Sequence, residues 1–524
     1  MQQTNARAKK SIKNAVVSTA YYLIILGLSF ISRKAFFDYL GSEVLGLNAT
    51  AKDLLSFLNL TELGIGSAVG FFLYKPVFEE DHTKINEIIT VQGWLYRKIA
   101  YIIIAASCVL MCFFPMIFAK SELPLSYAYI VFGTLLVGSI LSYFYNYRQV
   151  LLSADQKNYK IIRNNSRIEI IKIILQIIFV TKFSHPFFWW VGLEFLARVI
   201  ATIGLDRVIR REYPWLNLSL RDGKRFYNEN KGIIQKTKQI FFHKIAGTVL
   251  SNSSAPILYA FTTLTTVAYY NNYQIILQRI ATLMRNFFTS TSAAIGSLVA
   301  EGNKKSIHRV FWELFDSRLV IVAVILICSF HLTEPFISVW LSPDYLLGRR
   351  FLILFLILQG ILMSRETVDS FINAHGMFQD IWAPIVEASL NIGLSIFFGH
   401  LWGLEGVILG VTTSLVLIIE IWKPIFLFKY GMKESPIPYF LGFGFRLAII
   451  LAIAYVSTWI VPYLPFHEEA STSIAKWLLY STETTILVSL MIIPAFWAFS
   501  SGTKNFVKRM TSIITSEFIK RTGR

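Results

Sequence analysis

Lys52, Asp53, Asn59 and Glu62 stand inside a stretch, Asn48–Gly70, that is otherwise apolar and long enough to cross a bilayer. At 100° per residue, Asn48, Lys52, Ser56, Asn59, Glu62, Gly66 and Gly70 fall on one stripe roughly 120° wide. A charge at the middle of an isolated membrane helix costs about 2.5–3.5 kcal/mol on insertion scales, so these side chains must face a protein interior or a wet cavity. The stripe is then either polar glue between helices or the wall of a path for a polar substrate.

A second stripe follows 226 residues on, where AAIG (293–296) matches SAVG (67–70). That offset pairs Asn48 with Gln274, Lys52 with Gln278, Ser56 with Thr282, Asn59 with Arg285 and Gly66 with Ser292, with Arg279 beside the stripe. Another pairing sets LLSADQKNY (151–159) on FINAHGMFQ (371–379), Ala154 on Ala374, at an offset of 220. Just upstream of the second copy, Arg365 and Asp369 lie one helical turn apart and can pair, while Glu366, Ser370 and Asn373 mark a polar face.

The elements that must hold these residues are membrane spans. Of the 524 residues 54% are hydrophobic and only 16% charged, with a mean hydropathy of +0.53, whereas soluble domains average about 25% charged residues. The net charge of +18 lies between apolar runs, as membrane orientation requires, and does not argue for a nucleic-acid partner. Cys108, Cys112 and Cys328 have no metal or disulfide spacing and read as packing residues. The basic N-terminus precedes an apolar run with no small-residue cleavage site, so it reads as an uncleaved first span.

About fourteen spans are expected, near residues 15–36, 46–74, 95–118, 126–150, 165–183, 186–208, 240–262, 267–298, 317–340, 351–374, 381–400, 403–428, 438–462 and 475–499. Basic residues gather on one set of connections, from Arg7–Lys13 through Lys157–Arg167 and 207–238 to the tail 504–524. The alternate connections are short and poor in Lys and Arg, so both termini are expected on the cytoplasmic side. Six spans per half place the two copies in the same orientation. The expected fold is an all-α polytopic membrane protein: two six-helix bundles with pseudo-two-fold symmetry around a central cavity, followed by two C-terminal helices. The expected divisions are 1–210 for the first bundle, 211–239 for an amphipathic cytoplasmic linker facing anionic lipid, 240–430 for the second bundle, and 431–524 for the extra helices and basic tail.

Catalytic machinery is not evident. There is no G-x-x-x-x-G-K-[ST] loop, no H-E-x-x-H and no cysteine pair suited to zinc, so neither metal nor cofactor is expected. A membrane glycosyltransferase or polymerase needs a sizeable outer loop to meet its donor. The one dense polar cluster on that side, His467-Glu468-Glu469, reads as a solvated loop.

The segment RKAFFDYLGSEVLGLNATAKDLLSFLNLTELGIGSAVGFFLYK (33–75), together with LLSADQKNY, resembles the polysaccharide flippases of the multidrug/oligosaccharidyl-lipid/polysaccharide exporter superfamily. The motif residues are Leu40, Gly41, Glu43, Gly46, Gly64, Ile65, Gly66 and Ala68. The extra pair of spans is similar to the lipid II flippases. The resemblance implies a protein of the bacterial cytoplasmic membrane that moves undecaprenyl-pyrophosphate-linked oligosaccharide between leaflets for capsule, O-antigen or related polymers. Its partners would be that substrate, membrane lipids, polysaccharide polymerase or other assembly proteins, and a coupling H+ or Na+. On this reading Lys52, Arg279, Arg285 and Arg365 attract the pyrophosphate. Asn59, Gln274, Gln278, Thr282 and Asn286 hydrogen-bond sugar, and Glu62, Glu366 or Asp369 carries the coupling ion. The alternatives are a cation-coupled multidrug exporter on the same fold and, from another class, a membrane glycosyltransferase or polymerase.

Overall fold

A computed structural model describes residues 2–59, 65–229, 254–289, 295, 296, 298, 299, 301–377, 379, 380, 382–508 and 511. Among the described residues every regular element is helical. The chain divides into two compact units, Met1–Ala268 and Tyr269–Arg524.

The first unit contains α1 (Gln2–Leu58), α2 (Ile65–Glu79), α3 (His82–Cys112), the single turn α4 (Phe114–Ile117), α5 (Leu125–Phe144), α6 (Gln149–Ala154), α7 (Asn158–Lys182), α8 (Pro186–Glu212), α9 (Gly223–Glu229) and α10 (Ser254–Phe261). α11 (Leu264–Thr289) runs from the end of this unit into the second. There follow α12 (Lys304–Trp340), α13 (Arg349–Ser364), α14 (Glu366–Ala374), α15 (Trp382–Leu415), the short α16 (Lys423–Phe426) between two π-helical turns, α17 (Ile437–Ile460) and α18 (Ile474–Phe499).

Nine helical stretches among the described residues are long and apolar enough to cross a membrane. They follow the expected span order, and the difference from fourteen has local causes. The run Trp382–Met432 is 51 residues long, about 77 Å at 1.5 Å per residue, far beyond a hydrocarbon core of about 30 Å. Trp402 and Gly403 leave helical geometry in its middle and divide it into two crossings. α1 is likewise broken at Gly41, whose φ of 82° and ψ of 162° suit glycine. α7 and α11 are helical where the fifth and eighth spans are expected, but carry too many polar residues to be counted as apolar. Most of the expected seventh span, 240–262, lies outside the described residues.

Close backbone approach, rather than a hydrophobic drive, holds helices together in lipid. In the first unit α1 lies along α7, which pairs with α8. A core of Ile65, Leu73, Ile89, Tyr96, Leu152 and Leu205 joins α2, α3, α6 and α8. Gly46 lets α1 touch the start of α11, because a Cβ there would overlap the Leu264 carbonyl. In the second unit the two arms of α15 meet in the same way, Gly406 on Phe398 and Gly410 on Ser395. Cys328 is buried in the core, whereas Cys108 and Cys112 are exposed and contribute no core packing.

The two units repeat the same local devices. Glu80 and Gly302 have positive φ (57° and 72°). Each is followed by a helix N-cap: Asp81 accepts from Lys84 N–H at 2.9 Å, and Asn303 accepts from Ser306 N–H at 3.2 Å. The α6 and α14 ends, paired through Ala154 and Ala374, close with matching hydrogen bonds. Asp155, Gln156 and Lys157 donate to Leu151, Ser153 and Leu152, while His375, Gly376 and Met377 donate to Phe371, Asn373 and Ile372. This is the Schellman type of helix end, with Gln156 and Gly376 both left-handed. His185 (φ 59°) and Gly403 (φ 57°) turn the following pair of helices.

The described part of the central segment, 213–229, packs on α3. Trp215 stacks on His82 with ring centroids 3.8 Å apart, Tyr227 lies 5.2 Å from Trp94, and Gly223 sits directly on Trp94. Its aromatic residues are thereby turned toward protein.

A Gly410→Val substitution would force the arms of α15 apart at Ser395. Overpacking of this kind costs about 1–3 kcal/mol, so the detergent-solubilised variant should unfold at a lower temperature. Gly27→Ala, where nothing lies within 4 Å of the added carbon, should unfold at or slightly above the wild-type temperature, since alanine is the better helix former.

Candidate functional site

In the first unit Asn48, Lys52 and Ser56 of the stripe lie on the last turns of α1, Asn59 just past its end, and Gly66 and Gly70 on α2. Asn59 is bound to α5: its Oδ1 accepts from the Tyr143 hydroxyl at 3.1 Å and its Nδ2 donates to Ser139 Oγ at 3.3 Å. Ser56 turns its hydroxyl back to the Lys52 carbonyl at 2.9 Å, and the Lys52 side chain is exposed. Glu62 lies outside the described residues. At the start of the resemblance motif Gly41 breaks α1, and Glu43 just beyond it accepts the Glu122 N–H at 3.2 Å.

The LLSADQKNY stretch is anchored at the end of α8. Lys157 bridges Asp155 and Glu212 at 2.6 Å each, Lys160 also meets Glu212, and the Tyr213 hydroxyl donates to Asp155 at 3.0 Å. Burial, reinforced by the Asp155 carboxylate, holds the Tyr213 hydroxyl well above its usual pKa, so it stays a neutral donor. Deeper between α7 and α8, Lys172 contacts Glu169 at 2.7 Å and Glu194 at 2.9 Å, and Glu194 also accepts from Arg198 at 2.7 Å.

In the second unit Gln274, Gln278, Thr282 and Arg285 follow one face of α11, at spacings of four, four and three residues. Gln278 and Arg285 are exposed, Gln274 and Thr282 partly buried, and Thr282 donates back to the Gln278 carbonyl at 2.7 Å. Arg279 is offset by one residue and therefore faces about 100° away from Gln278. The Asn286 side chain lies outside the described part. The Arg285 Nε stands 4.0 Å from Glu366 Oε1, bringing together two residues singled out in different spans.

Arg365 and Asp369 pair at 2.7 Å across one turn, and Lys423 reaches the other Asp369 oxygen at 3.2 Å. Around them Ser364 donates to Glu420 at 3.0 Å, and Arg318, 2% exposed, donates to Thr367 at 3.3 Å. Glu387, 3% exposed, lies close enough to Arg365 and Lys423 to feel both charges. Arg318, Glu387, Glu420 and Lys423 were not singled out from sequence. Three of them carry the signal that marked Lys52, a charge within or beside an apolar run: SRLVIV, PIVEASL and LIIEIW. The cluster balances four cations (Arg285, Arg318, Arg365, Lys423) against four carboxylates (Glu366, Asp369, Glu387, Glu420). Arg365 is an interior member, while Arg285 is the one with its side chain more than half exposed, at 54%.

The described helices, with this span order and these paired breaks, form a fold shared with membrane transporters of solved structure. It is similar to the lipid II flippase MurJ in an inward closed conformation, at 16% identity and a TM-score of 0.63, over 92% of this chain and 99% of that one. It is also similar to a multidrug resistance MATE family transporter in an inward-facing conformation, at 13% identity and a TM-score of 0.54, over 78% of this chain and 97% of that one. A MATE structure in a bent conformation aligns at 12% identity and a TM-score of 0.51, over 80% of this chain and 96% of that one. At these identities the likeness is one of fold. No protein-family model matches the sequence, and no curated protein matches it either.

Asp369→Ala would leave Arg365 and Lys423 without the carboxylate they share. An ion pair is worth more the better its partners are shielded from water. Asp369 serves two cations whose side chains are 23% and 18% exposed, so thermal unfolding should show a larger loss for Asp369→Ala than for Glu366→Gln, whose partner Arg285 is 54% exposed. Equal losses would remove Asp369 from the centre of the cluster.

Proposed function

We propose that the chain is a flippase that carries an undecaprenyl-pyrophosphate-linked oligosaccharide across the bacterial cytoplasmic membrane by alternating access, for surface polysaccharide assembly. The observation that carries this reading is one face of α11: an exposed guanidinium, Arg285, in line with the exposed amide of Gln278 and the hydroxyl of Thr282. A guanidinium can take a pyrophosphate through two parallel hydrogen bonds, and the exposed Lys52 can add a point charge. Arg279 and Arg365 would contribute positive potential, and Asn59, Gln274 and Asn286 hydrogen bonds to sugar. Glu62, Glu366 and Asp369 are the candidates for ion coupling. The fold comparison supports a flippase over a drug exporter in one respect: the flippase structure spans 92% of this chain and the two MATE structures 78% and 80%. The distribution of Lys and Arg supports an orientation with both termini in the cytoplasm.

The test is leaflet transfer of a labelled lipid-linked oligosaccharide in vesicles containing the purified protein. Wild type should transfer it. Arg285→Ala and Lys52→Ala should each slow transfer by tenfold or more, as expected for a charged hydrogen bond worth about 1.5–3 kcal/mol, with expression unchanged. Absence of transfer by folded wild type across a panel of repeat units would reject the reading. The buried carboxylate of Glu387 and the half-buried one of Glu420 favour a second reading, cation-coupled export of small molecules. That reading expects dye efflux driven by an H+ or Na+ gradient in the same vesicles.

A further inference from the structure

Two stretches picked out for different reasons in the sequence, Gly66–Gly70 and Leu151–Tyr159, meet at one pocket wholly inside the first unit. The pocket has a volume of about 550 Å³ and lies among α2, α3, α5, α6 and α7. That is within the range of small-ligand sites, about 300–1,000 Å³. None of its thirteen lining residues is charged, and the polar ones are tyrosines, serines and carboxamides. The charges that flank it in sequence are engaged elsewhere: Arg148 with Asp206, and Asp155 and Lys157 with each other and the end of α8. Small residues keep the space open, since a Cβ on Gly66 would come to 3.1 Å from the Tyr96 hydroxyl and one on Gly70 to 3.6 Å from Val150.

Gln92 gives the pocket its chemical preference. It lines the cavity, is 1% exposed, and its Oε1 has no hydrogen-bond partner. An unmet buried acceptor is destabilising and is relieved by a donor. A phosphate or pyrophosphate at neutral pH offers essentially acceptors, and the lining has no cation to receive it. A saccharide offers hydroxyl donors together with an apolar C–H face, which the exposed Tyr74 ring at the pocket could cover.

We propose that this pocket binds neutral sugar rings of the lipid-linked substrate, with a hydroxyl donating to Gln92 Oε1, as a saccharide site chemically separate from the cationic face of α11. The inference deepens the flippase reading and rests on it for the lipid attachment of the sugar. The chemistry of the pocket itself rests on its uncharged lining and the unmet Gln92 acceptor.

The experiment measures thermal unfolding of the full-length protein in detergent. Three ligands are compared: a panel of neutral hexose and N-acetylhexosamine disaccharides, the same disaccharides on a short-chain polyprenyl pyrophosphate, and inorganic pyrophosphate. At least one neutral disaccharide should raise the unfolding temperature, and its lipid-linked form should act at tenfold lower concentration or less. Gln92→Leu, similar in volume and free of the unmet acceptor, should fold and weaken the disaccharide effect tenfold or more. Gly70→Leu, which fills the cavity from α2, should do the same, and both variants should keep any response to pyrophosphate. The proposal falls if no disaccharide stabilises the protein, if both variants respond like wild type, or if free and lipid-linked sugars act at equal concentrations. Disaccharide stabilisation that both variants lose, in a wild type that shows no leaflet transfer, would retire the flippase reading and leave the saccharide site standing.

Discussion

A charge at the depth of the bilayer must be met by an opposite charge, by backbone dipoles or by water, and the interior of each unit is arranged around that requirement. Among the described residues the charged groups within spans occur mainly in small networks that cross between helices. Lys172 joins α7 to α8 through Glu194. Asp369 gathers Arg365 from its own segment and Lys423 from beyond α15. Asp316, fully buried on α12, receives Arg446 from α17 and Ser500 from just past α18. Each network ties together helices that lipid alone would give little reason to associate.

The last of these contacts explains how the two helices outside the internal repeat are held. α17 and α18 meet α12 through Arg446 and Asp316 near one end. Toward the other, His331 meets Ser457 at 2.9 Å, and the Trp477 indole donates to the Leu332 carbonyl at 3.1 Å. The extra pair therefore belongs to the packing of the second unit. The charged interior has a different character in the two units. The second concentrates eight charges around α14, whereas the first turns the matching helix end, α6, toward an uncharged pocket and sends its charges to α8. The local backbone is the same at Ala154 and Ala374, and the side chains have been put to different use.

Much of the fold was legible because its cause is local. An apolar run of about 20 residues is a span wherever it occurs, and the short polar sequence GHLWGLEG marked the turn at Trp402 and Gly403 before any coordinates. The Ala154–Ala374 pairing was legible because a helix end is written in the few residues that form it. The site was legible only in part. Arg365 and Asp369 could be paired from their four-residue spacing, but that same pairing makes Arg365 an interior group, an outcome the spacing could not weigh against substrate contact. Lys423, Glu387 and Glu420 went unread because the group each one answers sits on another helix.

The sequence by itself determined that this chain spans the membrane many times, in what order its spans come, and that its halves repeat. Hydropathy, helix capping and the conformational demands of positive φ all act over a few residues. Only the tertiary structure decided which charges answer one another, that Asn59 is tied to Tyr143, and that Gly70 and Ala154 face the same pocket as Gln92. Those choices depend on which helix lies beside which, and in lipid that is settled by close packing and charge pairing across residues far apart in the chain.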